Sequence, residues 1–328
     1  MEHQNIKHLD WRIYMRLHHN PDEFLELVEL TSKKIHIPAI AVRKDYFITI
    51  ILNNLEESDF ADKVVFKGGT SLSKCYPKSI ERFSEDIDLT FIPEEGLSNK
   101  QISKKLKNIE KTLIGEGNSE IVSEERNDRN KSSYVWFSEE YKEMERIKLE
   151  IGSSVRPHPY EKRVMKSYIH EYLKNAGEEK AIAEFQLKDV SINVLNVERT
   201  FVDKIMSVKR HAICGTLSGK TRHLYDIVKL IKLPEIQRFL ENEEQLKTII
   251  RITKETDSFY LEKRNIPEDY NPLDEYAFER WKERFSKEIV TNYESLHKTL
   301  LFTDRKQDWN EVLVTFERIN KIFEKIGE

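Results

Sequence analysis

Cysteine and long apolar runs are scarce in this chain. Its 328 residues include only Cys75 and Cys214 as cysteines, too few for a disulfide framework, so we expect a reducing compartment. No run approaches the ~20 apolar residues that a membrane helix needs. The segment from Met1 to Asp10 also lacks the apolar core of a signal peptide. These absences predict a soluble cytoplasmic protein with no membrane partner.

Signatures of several other classes are missing as well. No cluster at zinc-ligand spacing is visible, and the absence of a GxxxxGK[ST] sequence excludes a P-loop. A net charge of −4 argues against nonspecific coating of nucleic acid. Basic residues are nevertheless concentrated between 199 and 229, where they would suit a triphosphate and an RNA end, although a solvated helix face explains most of them equally well. They are Arg199, Lys204, Lys209, Arg210, Lys220, Arg222 and Lys229.

The pattern of apolar residues predicts an α/β protein. A 38% hydrophobic content is low for one large core, and 34% charged residues indicate much exposed helix. Strand and helix signals alternate up to about residue 155 and then become mostly helical, apart from one strand signal between 185 and 197. We therefore predict a mixed-sheet core with N-terminal helices over residues 1–155, and a mostly helical domain over 156–328 that completes the active site.

Individual elements can be placed with the same patterns. Loops are predicted at 115–119, 127–131 and 265–274 from their glycine, proline and polar content. Asp308 and Glu311 predict a capping box for a last helix with an apolar, core-facing stripe. The remaining predictions are helices over 21–34, 41–56, 70–76, 99–114 and 198–213, and strands over 63–67, 86–92, 134–138 and 146–152.

Two short motifs carry most of the chemical information. Gly68 and Gly69 follow an apolar run and allow a backbone turn whose N–H groups can approach a phosphate. Asp86 and Asp88 sit at i and i+2 in a second apolar run, so they project from the same face of a strand. Paired carboxylates repel each other unless a cation lies between them, and Mg²⁺ is the cation that prefers such oxygen ligands. Each motif alone is common, but together they predict a phosphate turn beside a metal site.

The order of these motifs resembles the nucleotidyltransferase superfamily that includes DNA polymerase beta. The 16 residues from 70 to 85 form a longer spacer than is usual there, and this longer form is similar to the AbiEii/AbiGii toxin branch. The match is nearly letter for letter from Lys67 to Lys74 and from Glu81 to Leu89. The resemblance spans about residues 64 to 230.

Three later segments fit the same family. Glu150 lies near the end of an alternating strand, where polymerase-type chemistry wants a third carboxylate. Lys204 belongs to a block that reads Glu-Arg-Thr-Phe followed by an acidic residue and lysine, although Val197 stands where the family usually has proline. Asp226 belongs to an Arg-His-x-Tyr-Asp block; taken singly, Arg222 and Asp226 would be read as an i, i+4 surface pair.

The resemblance implies metal-dependent nucleotidyl transfer. Asp86, Asp88 and Glu150 would bind two Mg²⁺ ions, or Mn²⁺ in their place, with an NTP as substrate. One ion would hold the triphosphate, and the other would lower the pKa of an attacking hydroxyl. Lys204 would offset the charge that builds up, and Asp226 would orient Lys204 or position the acceptor.

Residues near the glycine turn would hold the phosphates. Backbone amides near Gly69 and Thr70, with the Ser71 hydroxyl, are expected at the β- and γ-phosphates. Ser84 would contact phosphate or cap the turn. Arg82 would contact phosphate or pair with a carboxylate.

The family also implies a biological role. Its members resemble toxins of bacterial toxin–antitoxin or phage-defence pairs, and each is encoded with a separate antitoxin. Some branches transfer nucleotides to the 3′ end of tRNA, so RNA is the expected acceptor here. Two alternatives stay open: nucleotidylation of a protein hydroxyl, and a regulatory protein that binds nucleotide without turnover.

Overall fold

The structure is a computed structural model that describes residues 16–261, 270–298, 301 and 306–328. Within these ranges no helix combines the length and the apolar character needed to cross a membrane. The described part contains one seven-stranded sheet with helices around it and a helical C-terminal region. The predicted α/β class with a mixed-sheet core is therefore confirmed.

The sheet has the strand order β3-β4-β5-β2-β1-β7-β6. Two neighbouring pairs, β1 with β7 and β2 with β5, are parallel, and the other pairs are antiparallel. Strands β1, β2 and β7 are short, mostly apolar and mostly buried. The seven strands are β1 (Val64–Lys67), β2 (Ile87–Phe91), β3 (Asn118–Ile121), β4 (Asn130–Trp136), β5 (Ile147–Gly152), β6 (Tyr160–Met165) and β7 (Val190–Leu195).

Thirteen α-helices are described. The predicted helices 21–34, 41–56, 70–76, 99–114 and 198–213 all occur, with ends shifted by one or two residues. The full set is α1 (Pro21–Ile35), α2 (Ala39–Glu56), α3 (Gly68–Cys75), α4 (Asn99–Ile114), α5 (Lys142–Glu145), α6 (Tyr168–Ala176), α7 (Glu179–Glu184), α8 (Val197–Ile213), α9 (Thr221–Leu230), α10 (Pro234–Glu241), α11 (Glu243–Leu261), α12 (Lys287–Glu294) and α13 (Trp309–Lys325).

Helices α2, α3 and α4 pack against strands of the sheet. Helix α2 is buried along much of its length and packs against β7, α4 and α6. Helix α4 begins at a complete capping box of Ser98 and Gln101, and it packs against β4 and β5. Helix α3 follows β1 without a loop and contacts β1, β2, β6 and β7. The glycine turn at the start of α3 therefore lies at the end of β1, next to β2 and β7 in the middle of the sheet.

The sheet extends past the predicted domain boundary at residue 155. Strands β6 and β7 lie in the second half of the chain, and β7 pairs directly with β1. The β6 segment reads Tyr-Glu-Lys-Arg-Val-Met and is mostly exposed, so its apolar periodicity is too weak to be recognised in the sequence. Strand β3 is exposed at every residue and occupies part of the predicted loop 115–119, while β4 begins inside the predicted loop 127–131. The division at 155 stays a prediction, with the sheet shared by both halves.

The C-terminal helix begins differently from the prediction. The Asp308 side chain accepts a hydrogen bond from the Asn310 amide, while Glu311 pairs with Lys232 at 3.1 Å. The predicted capping box is therefore wrong, because the Glu311 side chain pairs with Lys232 instead. The apolar stripe of α13 is buried and packs against α9, as predicted for a core helix. Of the predicted loop 265–274, residues 265–269 lie outside the described ranges, and no helix or strand occurs over 270–274.

Candidate functional site

Both halves of the sequence motif converge on the turn between β1 and α3. Gly68 has φ +86°, and a Cβ atom there would lie 2.3 Å from Asp88 Oδ2. A Cβ atom on Gly69 would lie 2.5 Å from Arg82 Nη2 and 2.8 Å from Ser84 Oγ. No side chain fits at either position without displacing these groups, and Gly68 also adopts a backbone conformation that favours glycine. The turn is thus lined by a carboxylate on one side and a guanidinium on the other.

Three charged residues lie in a row across neighbouring strands. Lys67 on β1 is directly opposite Asp88 on β2, and Asp88 is in register with Glu150 on β5. Residues in register share one face of a sheet, so all three side chains project to the same side. The pairing of Asp88 with Glu150 matches the third-carboxylate prediction. Lys67 was not predicted as a site residue, although its place just before Gly68 was visible in the sequence.

Asp86 lies immediately before β2. Partial burial raises its pKa, and the negative charges of Asp88 and Glu85 raise it further, while Arg222 opposes this effect. A nearby cation stabilises the ionised form of a carboxylate whose pKa is raised in this way. Asp86, Asp88 and Glu150 offer oxygen donors only, and this donor type fits Mg²⁺. Among the described residues, however, the three carboxylates do not form a group with ligand atoms within 4.8 Å of one another. Glu150 also pairs with Lys148 at 2.6 Å.

The hydroxyls after the glycine turn are engaged within the protein. Thr70 Oγ1 donates to the carbonyl of Asp86 at 2.5 Å, which joins the start of α3 to the start of β2. Ser71 is fully buried, and its hydroxyl donates to the Gly68 carbonyl at 2.9 Å. In this arrangement both side chains shape the turn, and the backbone amides are the groups left to face a phosphate. Ser84 is also buried, against Gly69.

Asp226 gathers two of the predicted cationic residues. Arg82 Nε and Nη2 donate to its two carboxylate oxygens at 2.7 and 2.8 Å, and Lys204 Nζ lies 2.9 Å from Oδ2. All three residues are buried. Burial alone would raise the pKa of Asp226, but Arg82 and Lys204 outweigh it and hold the pKa well below its usual value. One carboxylate thus carries two cations, and the group keeps a net positive charge beside the glycine turn. The reading of Asp226 as a surface partner of Arg222 is wrong.

Helix α2 contacts two segments of the candidate site, Glu85 next to Asp86 and Lys74 on α3. The sequence did not predict these contacts. Lys44 Nζ contacts Glu85 Oε2 at 2.5 Å, immediately before Asp86. Buried Asp45 pairs at 2.6 Å with Lys74, whose side chain is 4% exposed, and accepts a hydrogen bond from the Tyr168 amide at 2.7 Å. The available signal was a pair of charged residues inside a helix that was otherwise predicted to be core.

A cleft of about 720 Å³ opens beside the row of charged residues. Asp88 and Glu150 line it on the sheet side, and Arg210 and His223 line it on the side of α8 and α9. His223 Nδ1 is buried and has no hydrogen-bond partner among the described residues. Burial lowers the pKa of His223 well below its usual value, and Lys204 lowers it further, so the ring is neutral. His223 is a second residue of the cleft that was not predicted.

Most other basic residues between 199 and 229 have partners inside the protein. Arg199 is fully buried and pairs with Asp203 at 2.7 Å, and Lys209 donates to two backbone carbonyls. Arg210 pairs with Asp257, and Lys229 pairs with Glu81. The alternative of a solvated helix face is therefore wrong for the buried Arg199 and Lys209.

Comparison with protein families gives one match. A model described as "Nucleotidyl transferase AbiEii toxin, Type IV TA system" covers residues 50–319. The match begins before residue 64 and continues far beyond residue 230, so the sequence motifs underestimated its extent. No curated protein matches the sequence.

Two solved structures are similar to the chain. One is the nucleotidyltransferase toxin MenT4 from Mycobacterium tuberculosis, with 16% identity and a TM-score of 0.45, covering 91% of this chain and 97% of the other. The second is JHP933 from Helicobacter pylori, with 20% identity and a TM-score of 0.37, covering 79% and 94% of the two chains.

Proposed function

The chain belongs to the AbiEii family of nucleotidyltransferase toxins of type IV toxin–antitoxin systems, and on this premise we propose a specific reaction for it. It transfers a nucleoside monophosphate from an NTP to a hydroxyl of RNA, at the 3′ end of a tRNA, in a Mg²⁺-dependent step. Pyrophosphate is released. These substrates put the reaction in the cytoplasm, where a cognate antitoxin would control the toxin.

The convergence at the Gly68-Gly69 turn carries this proposal. A negative group, Asp88, approaches the turn from one side, and a positive group, Arg82, approaches it from the other. A triphosphate with its metal requires both kinds of contact within a few ångströms. The alternative of a regulatory nucleotide-binding protein does not require the full catalytic set of Asp86, Asp88, Glu150 and Lys204.

Each group has a distinct task in the proposed reaction. Asp86, Asp88 and Glu150 would hold Mg²⁺, or Mn²⁺ in its place. Bound Mg²⁺ supplies charge neutralisation at the phosphates and a lower pKa for the attacking hydroxyl. The amides at the start of α3 would orient the β- and γ-phosphates, since N–H groups at a helix start favour anions.

Bond making and breaking take place at the α-phosphorus. The acceptor oxygen forms a new bond to this atom, the bond to the bridging oxygen breaks, and the hydroxyl proton passes to solvent. The positive charge of the Arg82–Asp226–Lys204 group would stabilise the negative charge that develops on the leaving pyrophosphate. Because Asp226 fixes both cations, little reorganisation is needed during the reaction.

The test is a labelling experiment with each labelled NTP, Mg²⁺, total tRNA and cell extract. Wild type should label RNA, and Asp86→Ala should reduce labelling by on the order of 10²-fold or more, as expected for loss of a group that stabilises transferred charge. Glu94→Ala is the matched control, because Glu94 is a carboxylate beyond the far end of β2 that pairs with Lys63. Label found in protein and not in RNA would show that the acceptor is a protein hydroxyl.

Growth provides a second measurement. Expression of wild type should arrest cells, and Lys204→Ala should relieve the arrest. Absence of label under all conditions, with wild type as harmless as Asp86→Ala, would contradict both enzymatic functions and favour the regulatory one.

A further inference from the structure

Two histidines and a glutamate meet near the C-terminal end of α4, away from the cleft. His18 Nε2 lies 3.2 Å from Glu116 Oε1, and His19 Nε2 lies 3.2 Å from Glu116 Oε2. One ligand atom from each of the three residues lies within 4.8 Å of the others. The histidines and the glutamate are almost 100 residues apart in the sequence, which is why no zinc-like spacing was visible there.

The ring of His18 is held rigidly in place. Its Nδ1 lies 2.9 Å from the hydroxyl of Tyr46, a buried residue of α2. The rings of Phe47 and Phe137 pack against it, with centroids at 5.5 and 5.6 Å. A polar partner on the second ring nitrogen is typical of histidines that bind metals, because it fixes the ring and the tautomer. Nε2 is thereby left to face Glu116.

The three side chains bring nitrogen and oxygen donors to one place. His18 and His19 each direct Nε2 toward an oxygen of Glu116, and Tyr46 fixes the ring of His18. A carboxylate beside two imidazoles, one of them held in place, is a donor set suited to a metal ion.

We propose that His18, His19 and Glu116 bind a divalent cation of the zinc class. Two imidazole nitrogens and one carboxylate suit Zn²⁺ or Co²⁺ better than Mg²⁺, which prefers oxygen ligands. Ligand atoms about 2.0 to 2.1 Å from a tetrahedral Zn²⁺ are roughly 3.3 Å from one another. The two nitrogen–oxygen distances of 3.2 Å, each to a different oxygen of Glu116, are close to that spacing, and one ligand atom from each residue lies within 4.8 Å of the others.

This site is distinct from the proposed catalytic metal site. Asn99 lines the cleft at one end of α4, and Glu116 follows the other end. A helix of 16 residues is about 24 Å long at 1.5 Å per residue. A cation here would join the segment Leu17–His19 to the turn after α4, and the inference does not depend on the proposed reaction.

Arg16 supplies the sharpest test of the assignment. Its guanidinium donates to Glu116 Oε1 at 2.9 Å and to Asn54 at 3.2 Å. This positive charge weakens the attraction of Glu116 for any cation. Arg16→Gln removes the charge and keeps a hydrogen-bond donor, so it should tighten zinc binding several-fold.

The experiment uses untagged full-length protein freed of metal with a chelator and then titrated with Zn²⁺. Excess Mg²⁺ is present to compete for sites made only of carboxylates. Wild type should bind one Zn²⁺ at this site, and its thermal midpoint should rise with zinc. His19→Ala and Glu116→Gln should lose both effects. His36→Asn, which removes an exposed histidine from the end of α1, is the matched control and should keep them.

Folding is checked without metal. His19 is 41% exposed, so His19→Ala should unfold at the wild-type temperature in chelator. Zinc stoichiometry that is the same in wild type, His19→Ala and Glu116→Gln would overturn the proposal, as would a wild type that binds no Zn²⁺. An unchanged affinity in Arg16→Gln would overturn the assignment of Glu116 as a ligand.

Discussion

Two aspartates of the candidate site have pKa values shifted in opposite directions. Asp86 faces Asp88 and Glu85, and its pKa is raised by burial and by these negative neighbours. Asp226 faces Arg82 and Lys204, and its pKa is held well below the usual value despite complete burial. Removing the charge of either residue should abolish nucleotidyl transfer. Their effects on stability should differ in sign: removing the charge of Asp86 should stabilise the folded protein, and removing the charge of Asp226 should destabilise it.

Asp86→Asn should stabilise the metal-free protein near neutral pH. Because the pKa of Asp86 is higher in the folded state, its ionised form costs stability at pH values above that raised pKa, and the cost is absent below the unfolded value. The asparagine removes this cost, and we expect the thermal midpoint to rise by about 2 °C, the change expected for roughly 1 kcal/mol. Thermal unfolding of both proteins in chelator at pH 7 measures the difference, and a lower midpoint for the variant would contradict it.

Asp226→Asn serves as the opposite-sign control for this measurement. Because the pKa of Asp226 is lower in the folded state, its ionised carboxylate contributes stability at pH 7. This contribution is lost as the pH falls from the pKa of the unfolded state through that of the folded state. Removing its charge leaves Arg82 and Lys204 buried without a counter-ion. The expected loss is about 3 to 5 kcal/mol, as for other broken buried pairs.

At the scale of elements, helix α2 is linked to the start of β2 and to α3, two of the elements that form the candidate site. Lys44 contacts Glu85 next to β2, while Asp45 reaches Lys74 in the last turn of α3. The helix that begins at the glycine turn and the residue before Asp86 are thus both tied to α2. Positioning of this kind reduces the entropy that must be lost when substrate binds.

The buried pair Asp45–Lys74 should show strong energetic coupling. Lys74→Met leaves the Asp45 charge buried and unpaired, and it should cost about 3 kcal/mol of unfolding free energy. In Asp45→Asn the amide oxygen can still accept the hydrogen bond from the Tyr168 amide. Combining the two changes removes both charges, so the double variant should lose less than the sum of the single losses, by about 1 to 3 kcal/mol.

Chemical denaturation of the four proteins of this double-mutant cycle gives the coupling energy. The KM for NTP should rise more in Lys74→Met than in the double variant. In Lys74→Met the unpaired charge of Asp45 would displace α3, whereas the double variant lacks that charge. Additive losses of stability would show that the pair does not act as a unit.

Across the whole molecule, sequence patterns predicted what depends on local periodicity. β2 was predictable because buried Ile87 and Leu89 alternate with Asp88, and the β2–β5 pairing brings Glu150 into register as expected. β3 and β6 were not predictable, because edge strands exposed to solvent have no apolar alternation. The Arg82–Asp226 pair joins residues 144 positions apart, and only the packing of α9 brings them together. Long-range ion pairs of this kind leave no local signal in one sequence.

The shared sheet leads to a prediction about the domain division at residue 155. A fragment of residues 1–155 retains β1 to β5 but lacks β7, which pairs with β1 beside the glycine turn. Its central strand would become an unprotected edge with unpaired N–H and C=O groups. We expect this fragment to aggregate, or to lack a cooperative thermal transition, and coexpression with residues 156–328 to restore a soluble complex. Circular dichroism and gel filtration measure both outcomes; a fragment 1–155 that unfolds cooperatively alone would show that the first half is an independent domain.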